Sequence, residues 1–335
     1  RTASRRRRGP GAAATTIGFS RRGGPPPSTA LHAPSPDGKT APTMTESPSP
    51  VQLVAHLVEL LRLEQLDSDR FRGATEDIGT PAVFGGQVLG QALMAASRTV
   101  EADRPAHSLH AYFLLAGDPH APIDYAVDRV RDGRSFTTRH IVATQQDRTI
   151  FEMSASFQRV EEGVEHQAPM PVAPPPEEVP GEVEQRRAMG ERLPARWRDK
   201  FGGERPIEFR TVDAPDLLAP EPRTGEVQIW MRALAALPDE PALHRALLAY
   251  ASDHGLLRAA LLPHGLSFMQ RRLRAASLDH SMWFHRDFRL DDWLLYCIDS
   301  PSAQGARGLC RGQIFARDGR LVASVAQEGM VRVQA

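Results

Sequence analysis

The sequence predicts an α+β protein of two tandem modules, each a central helix wrapped by an antiparallel sheet. Three observations carry this. Val88, Leu89, Ala92, Leu93, Ala95 and Ala96 leave the segment after Gly85-Gly86 almost no polar face, so this helix is buried rather than laid on a surface. Strand-like segments follow at 107–115, 123–132, 136–145 and 149–158, with Asp132-Gly133 and Gln146-Asp147 as turns, and the last three read as an antiparallel meander. The second half then repeats the plan of the first.

In chain order, residues 1–49 read as a disordered tail: arginines at 5–8, then Gly, Pro, Ser and Thr with no periodic apolar residue. Met44-Thr45-Glu46-Ser47 resembles an ordinary start, and translated upstream sequence explains the Arg-rich beginning better than a transit peptide does. Residues 50–160 form the first module. Its opening helix, 51–66, places Val51, Leu53, Val54, Leu57, Leu60, Leu61 and Leu66 near helical spacing. The Gly85-Gly86 pair lets backbone amides approach a ligand at the helix N-terminus, or serves close packing; both readings stand. Residues 161–205, rich in Pro with many acids and arginines, read as a linker. Residues 206–335 form the second module, with strands at 207–212 and 227–234, a helix over 241–262 that breaks near Asp253-His254-Gly255, and strands from Ser277, Trp293, Gly308 and Leu321.

Composition narrows the partners. Lys plus Arg and Asp plus Glu both number 41, so a net charge of zero argues against nucleic acid or an acidic membrane as partner. No apolar run is long enough to span a bilayer. Two cysteines, Cys297 and Cys310, give neither a disulfide framework nor a zinc site, and the chain reads as cytoplasmic.

The densest run of reactive side chains is 277–286. As one uninterrupted strand it puts Ser277, Asp279, Ser281, Trp283 and His285 on one face and Leu278, His280, Met282, Phe284 and Arg286 on the other, so neither face is wholly apolar. The repeat directs attention elsewhere. Gly86 falls on Asp253 at an offset of 167, His110 on His280 at 170, and Arg139 on Arg311 at 172. At the same offsets His107 falls on Ser277 and Ala155 on Gln327. Polar replacements in one copy, where the fold needs none, are what a specialised site leaves; drift after duplication leaves them too.

The ordered motifs Phe84-Gly85-Gly86-Gln87, Tyr250-Ala251-Ser252-Asp253, Pro263-His264-Gly265, 278–286, Trp293-Leu294-Leu295-Tyr296, Ala306-Arg307-Gly308 and Gln327-Glu328-Gly329 resemble those of the type II acyl-CoA thioesterases. The resemblance covers about 51–333 and implies a double hotdog fold, fatty acyl-CoA as substrate, no cofactor, and a homo-oligomer, dimer or tetramer. It also implies a catalytic set of Asp253, Ser277 and Gln327 that holds a water, Asp253 being the general base. Many relatives carry Thr where this chain has Ser277, which keeps the hydroxyl and drops a methyl. Phe84, Gly85 and Gly86 at the central helix of the first module, with His254 and Gly255 beside Asp253, are the candidate substrate-binding residues. Backbone amides near 253–255, or a side-chain amide, would receive the oxyanion.

Other chemistries fit less well. Asp279 and the histidines 254, 280 and 285 lack an H-E-x-x-H spacing, so no metal is expected, and a G-x-S-x-G nucleophile motif is missing. A hotdog hydratase or dehydratase has His five residues after the helix Asp, where this chain has Arg258. A non-catalytic acyl-CoA binding module is the remaining alternative.

Overall fold

The computed structural model describes residues 48–193, 203, 205–270 and 272–334. The predicted tail lies outside these residues apart from its last two. Helix α1 (Pro50–Leu61) opens with Ser49 and Gln52 in a reciprocal capping box and Pro50 in its first turn. It is shorter than the predicted 51–66 because Arg62 turns extended, and Glu64–Gln65 become a short strand, β1.

The remaining strands of the first half are β2 (Arg70–Gly73), β3 (Ala106–Phe113), β4 (Ile123–Asp132), β5 (Phe136–Gln145) and β6 (Arg148–Gln158), with helix α2 (Gly85–Ser97) between β2 and β3. The second half has β7 (Ile207–Thr211), β8 (Val227–Ala233), helices α4 (Pro241–Ser252) and α5 (Arg258–Leu261), then β9 (Leu273–Ser277), β10 (Asp279–Phe284), β11 (Leu294–Gln304), β12 (Arg307–Ala316) and β13 (Leu321–Val333). All pairings are antiparallel.

The duplication appears in the sheet order. Outward from the junction of β3 with β10, one side runs β3, β6, β5, β4, β2, β1 and the other β10, β13, β12, β11, β8, β7. His110 lies opposite Ser281, and its repeat counterpart His280 opposite Ala111, as a local two-fold between the halves requires. The two hotdog units therefore share one continuous sheet, which curls around both helices.

Helices α2 and α4 lie antiparallel in the middle. A Cβ on Gly86 would stand 2.2 Å from the Tyr250 carbonyl oxygen, and one on Gly90 2.9 Å from that of Ala246. Gly86 is thus a packing residue, where the backbones approach too closely for any side chain. Leu89, Ala92, Leu93, Leu247, Leu248 and Ala251 are fully buried at this contact and around it.

The 161–205 segment is not a featureless linker. Glu182–Met189 form a helix, α3, whose Glu182 reaches Arg186 at 2.8 Å, His254 at 3.3 Å and Arg258 at 3.4 Å. Its polar composition hid it, because its hold on the second half is ionic rather than apolar.

Candidate active site

Helix α4 ends at Ser252, and Asp253 is its C-cap, with Gly255 left-handed (φ +75°) two residues on. The break predicted near 253–255 is therefore a true helix stop, and it delivers the Asp253 carboxylate to the end of the helix pair. Because α2 runs the other way, that carboxylate meets the first turn of α2: a Cβ on Gly85 would lie 2.7 Å from Asp253 Oδ2 and 3.0 Å from the Phe113 ring. Gly85 and Gly86 thus do different things. Phe84, the N-cap, supplies no side-chain cap to the amides of this turn and stacks edge-on against Tyr250 at 5.1 Å.

Ser277 and Gln327 come to Asp253 from the sheet. Ser277 Oγ donates to Asp253 Oδ1 at 3.2 Å, and Gln327 Nε2 donates to Ser277 Oγ at 2.9 Å. Asp253 and Ser277 are half-buried, while Gln327 is 1% exposed. The three residues singled out in the sequence therefore form one connected group.

Ser277 reaches this group by a break in the strand. Opposite β13, Ser277 pairs with Gly329 but Ser281 with Ala326, so one extra residue intervenes on the 277–281 side. This β-bulge at Leu278 is closed by Leu278 N–H to the Glu328 carbonyl and by Glu328 N–H to Asp279 Oδ1 at 2.6 Å. The uninterrupted alternation predicted for 277–286 is corrected accordingly. Ser281 and Trp283 face outward beside His110, whereas Ser277 joins His280, Met282 and Phe284 on the inner face.

Sequence reasoning missed His280, assigning it to scaffold. It is fully buried, with Nδ1 2.5 Å from Gln327 Oε1 and Nε2 2.9 Å from Ser252 Oγ. Burial lowers its pKa, so the ring is neutral at pH 7. The signals were present: a strand apolar on neither face, and a His that recurs in both repeats.

His254 turns away from the group. Its ring stacks on Phe209 at 3.9 Å and its Nε2 faces Glu182, while its backbone N–H is taken by the Ala251 carbonyl. Arg258 donates to Thr211 and Glu182. The position that a hydratase would fill with His is thus part of the α3 anchor. Burial pushes the Cys297 thiol up to about 12 and the Cys310 thiol up to about 11, so neither is a thiolate nucleophile at neutral pH.

Two buried helices packed on each other inside one wrapping sheet make a double hotdog, and comparison with known proteins supplies the family. The family model described as acyl-CoA thioesterase matches residues 197–330, and that of the acyl-CoA thioesterase N-terminal domain matches 72–158. The chain is 41% identical over 280 residues to acyl-CoA thioesterase 2 of Haemophilus influenzae, covering 84% of this chain and 98% of that one. It is 39% identical to human acyl-coenzyme A thioesterase 8, covering 82% and 88%. Among solved structures, the acyl-CoA thioesterase II TesB2 of Mycobacterium marinum is 43% identical with a TM-score of 0.68, covering 83% of this chain and 99% of that one. The chain belongs to the acyl-CoA thioesterase family and is a thioester hydrolase.

Proposed function

We propose that the protein hydrolyses fatty acyl-CoA to free fatty acid and coenzyme A by direct attack of a water held by Asp253, Ser277 and Gln327. The observation that carries this is the chain of hydrogen bonds from Gln327 through Ser277 to Asp253 beside the first turn of α2. A thioester carbonyl is already electrophilic, so an oriented water, a base and a site for the oxyanion suffice. Asp253 Oδ2, which faces that turn, takes the proton of the attacking water. Gln327 Nε2 has a second hydrogen beyond the one given to Ser277, and it orients the water oxygen. The uncapped amides of Gly85 and Gly86, at the positive end of the α2 dipole, receive the developing oxyanion. Collapse of the tetrahedral intermediate breaks the C–S bond, and the proton on Asp253 leaves with the thiol.

Substrate contact thus falls on Phe84, Gly85, Gly86 and Gly255, while His254 contributes through its contact with Glu182. The second half carries the acid–base residues and the first lends the helix end. A cytoplasmic location accords with the two unpaired cysteines, and among the described residues no helix is long and apolar enough to cross a membrane. Assembly into dimers or tetramers would cover the outward Tyr112, Leu114, Leu115 and Trp283, which are exposed here.

Thiol release from a panel of short, medium and long acyl-CoAs tests the function, with release from at least one class expected. No release at any chain length would leave the binding-module reading. Intact mass after acid quench tests the direct attack: no acylated protein is expected, and an acyl adduct on Ser or Cys would overturn it.

A further inference from the structure

Ser277 has one hydrogen and lies between two groups that both offer it an oxygen or a nitrogen. Which way that hydrogen points decides whether Asp253 is held as a base, and the choice is made two side chains further back, at His280. Gln327 is the intermediate. Its amide nitrogen gives a hydrogen to Ser277 Oγ only while its oxygen faces His280 Nδ1, 2.5 Å away. That orientation requires a hydrogen on Nδ1. The ring is completely buried, so no solvent supplies a substitute.

The far side of the ring meets Ser252, whose Oγ is 2.9 Å from His280 Nε2 and 2.9 Å from the Ala249 carbonyl oxygen. In the neutral ring the hydrogen sits on Nδ1 and Ser252 donates to Nε2, because the other neutral tautomer, Nε2–H with Ser252 on the Ala249 carbonyl, would set a bare Nδ1 2.5 Å from Gln327 Oε1. With a protonated ring, Nε2 donates to Ser252 and Ser252 to Ala249. In both cases Nδ1–H stays on Gln327. Ser252 is itself fixed, at the last turn of α4, by the Tyr296 hydroxyl on its carbonyl at 3.1 Å.

We infer that His280, held by Ser252, is a positioning residue of the hydrolytic site that locks the Gln327 amide so that Ser277 directs its hydrogen at Asp253. The inference rests on the proposed roles of Asp253, Ser277 and Gln327. It adds a direction to the chain Ser252, His280, Gln327, Ser277, Asp253, in which each member donates to the next. The lock matters most after Asp253 has taken a proton. A neutral carboxyl no longer demands Ser277's hydrogen, and without Nδ1–H the amide would turn over and leave Ser277 donating to Gln327. The next cycle would then begin with a misdirected hydroxyl.

The test is a double-mutant cycle on thiol release by the full chain with acyl-CoA. His280→Leu removes the donor and is expected to lower kcat roughly ten- to a hundredfold, the range for a buried hydrogen bond left unmade, with little change in KM. His280→Asn places an amide N–H near the Nδ1 position and is expected to recover most of the loss. In a Gln327→Ala background His280→Leu is expected to cost almost nothing more, because its effect passes through the amide. A purely structural role would instead multiply the two losses. Where His280→Leu does not fold, Ser252→Ala and the imidazole 15N spectrum of the intact protein decide. Ser252→Ala should lower kcat several-fold at unchanged KM, and the spectrum should show the hydrogen on Nδ1. Multiplicative losses, no recovery by Asn, or a hydrogen on Nε2 alone would overturn the positioning role while Asp253→Asn remains inactive. If Gln327→Ala itself keeps wild-type kcat, both the positioning role and the hydrolytic trio are wrong.

Discussion

Ser277 shows how little of a side chain the site uses. In the proposed mechanism only its hydroxyl takes part, accepting from Gln327 and donating to Asp253, so Ser277→Thr should retain most of the activity and Ser277→Ala should lose at least tenfold in kcat. The two glycines at the start of α2 separate activity from stability. A methyl on Gly85 enters the space of Asp253 Oδ2, whereas one on Gly86 collides with the Tyr250 backbone at 2.2 Å. Gly85→Ala should therefore fold with a nearly unchanged Tm and lose kcat, while Gly86→Ala should be destabilised by about 1–3 kcal/mol or more, as overpacked cores are. Thermal melts and thiol release on the same two samples check this. That Asp253, Ser277 and Gln327 would come together was legible in the sequence because the repeat put Gly, His and Ala at their counterparts and the family resemblance pointed to the same three. His280 was not, since a buried histidine and an exposed one look alike in a list of residues, and pleat counting assumed an unbroken strand. One inserted residue at Leu278 reversed the face of Ser277.

Among the elements, α2 could be read from its nearly unbroken apolar run, and α4 and the long strands from periodicity, because each buries an apolar face. Strands β1 and β2 span only two and four residues, too short for a period to register. Helix α3 carries no buried residue, yet it is anchored by a nearly buried carboxylate. Burial would push the Glu182 carboxyl up, but the charges of His254, Arg258 and Arg186 together outweigh it and hold it well below the usual carboxylate range. A depressed pKa contributes stability that is full above about 4.5, the ordinary value, and is lost as pH falls through the folded-state value. His254, lowered by burial, adds loss in the same direction below its ordinary 6.5. Glu182→Gln should cost about 3 kcal/mol at neutral pH, as one partner of a buried pair removed. It should also flatten the acid limb of a denaturation profile below about pH 4.5; an unchanged limb there would mean that α3 is not held by this charge.

At the scale of the whole molecule, the proposed site belongs to neither half alone. Asp253, Ser277 and Gln327 lie in the second half, but the helix end that faces Asp253 comes from the first, and β3 and β10 join the two sheets edge to edge. The double hotdog architecture was legible because duplication leaves the same order of elements twice. That the two copies share one continuous sheet was not, since no local pattern records which edges meet. With both helices packed on each other and one sheet around them, the two halves should unfold in a single calorimetric transition, with calorimetric and van't Hoff enthalpies equal. Two separable transitions would mean that the halves hold together only loosely.

The most direct test of Asp253, Ser277 and Gln327 as the holders of the attacking water is thiol release at saturating acyl-CoA by Asp253→Asn beside the wild type. The substitution keeps the shape of the side chain and removes its basicity. Loss of a positioned general base should lower kcat by about 10²–10⁴-fold while KM stays within a few-fold. Wild-type turnover by Asp253→Asn would contradict it.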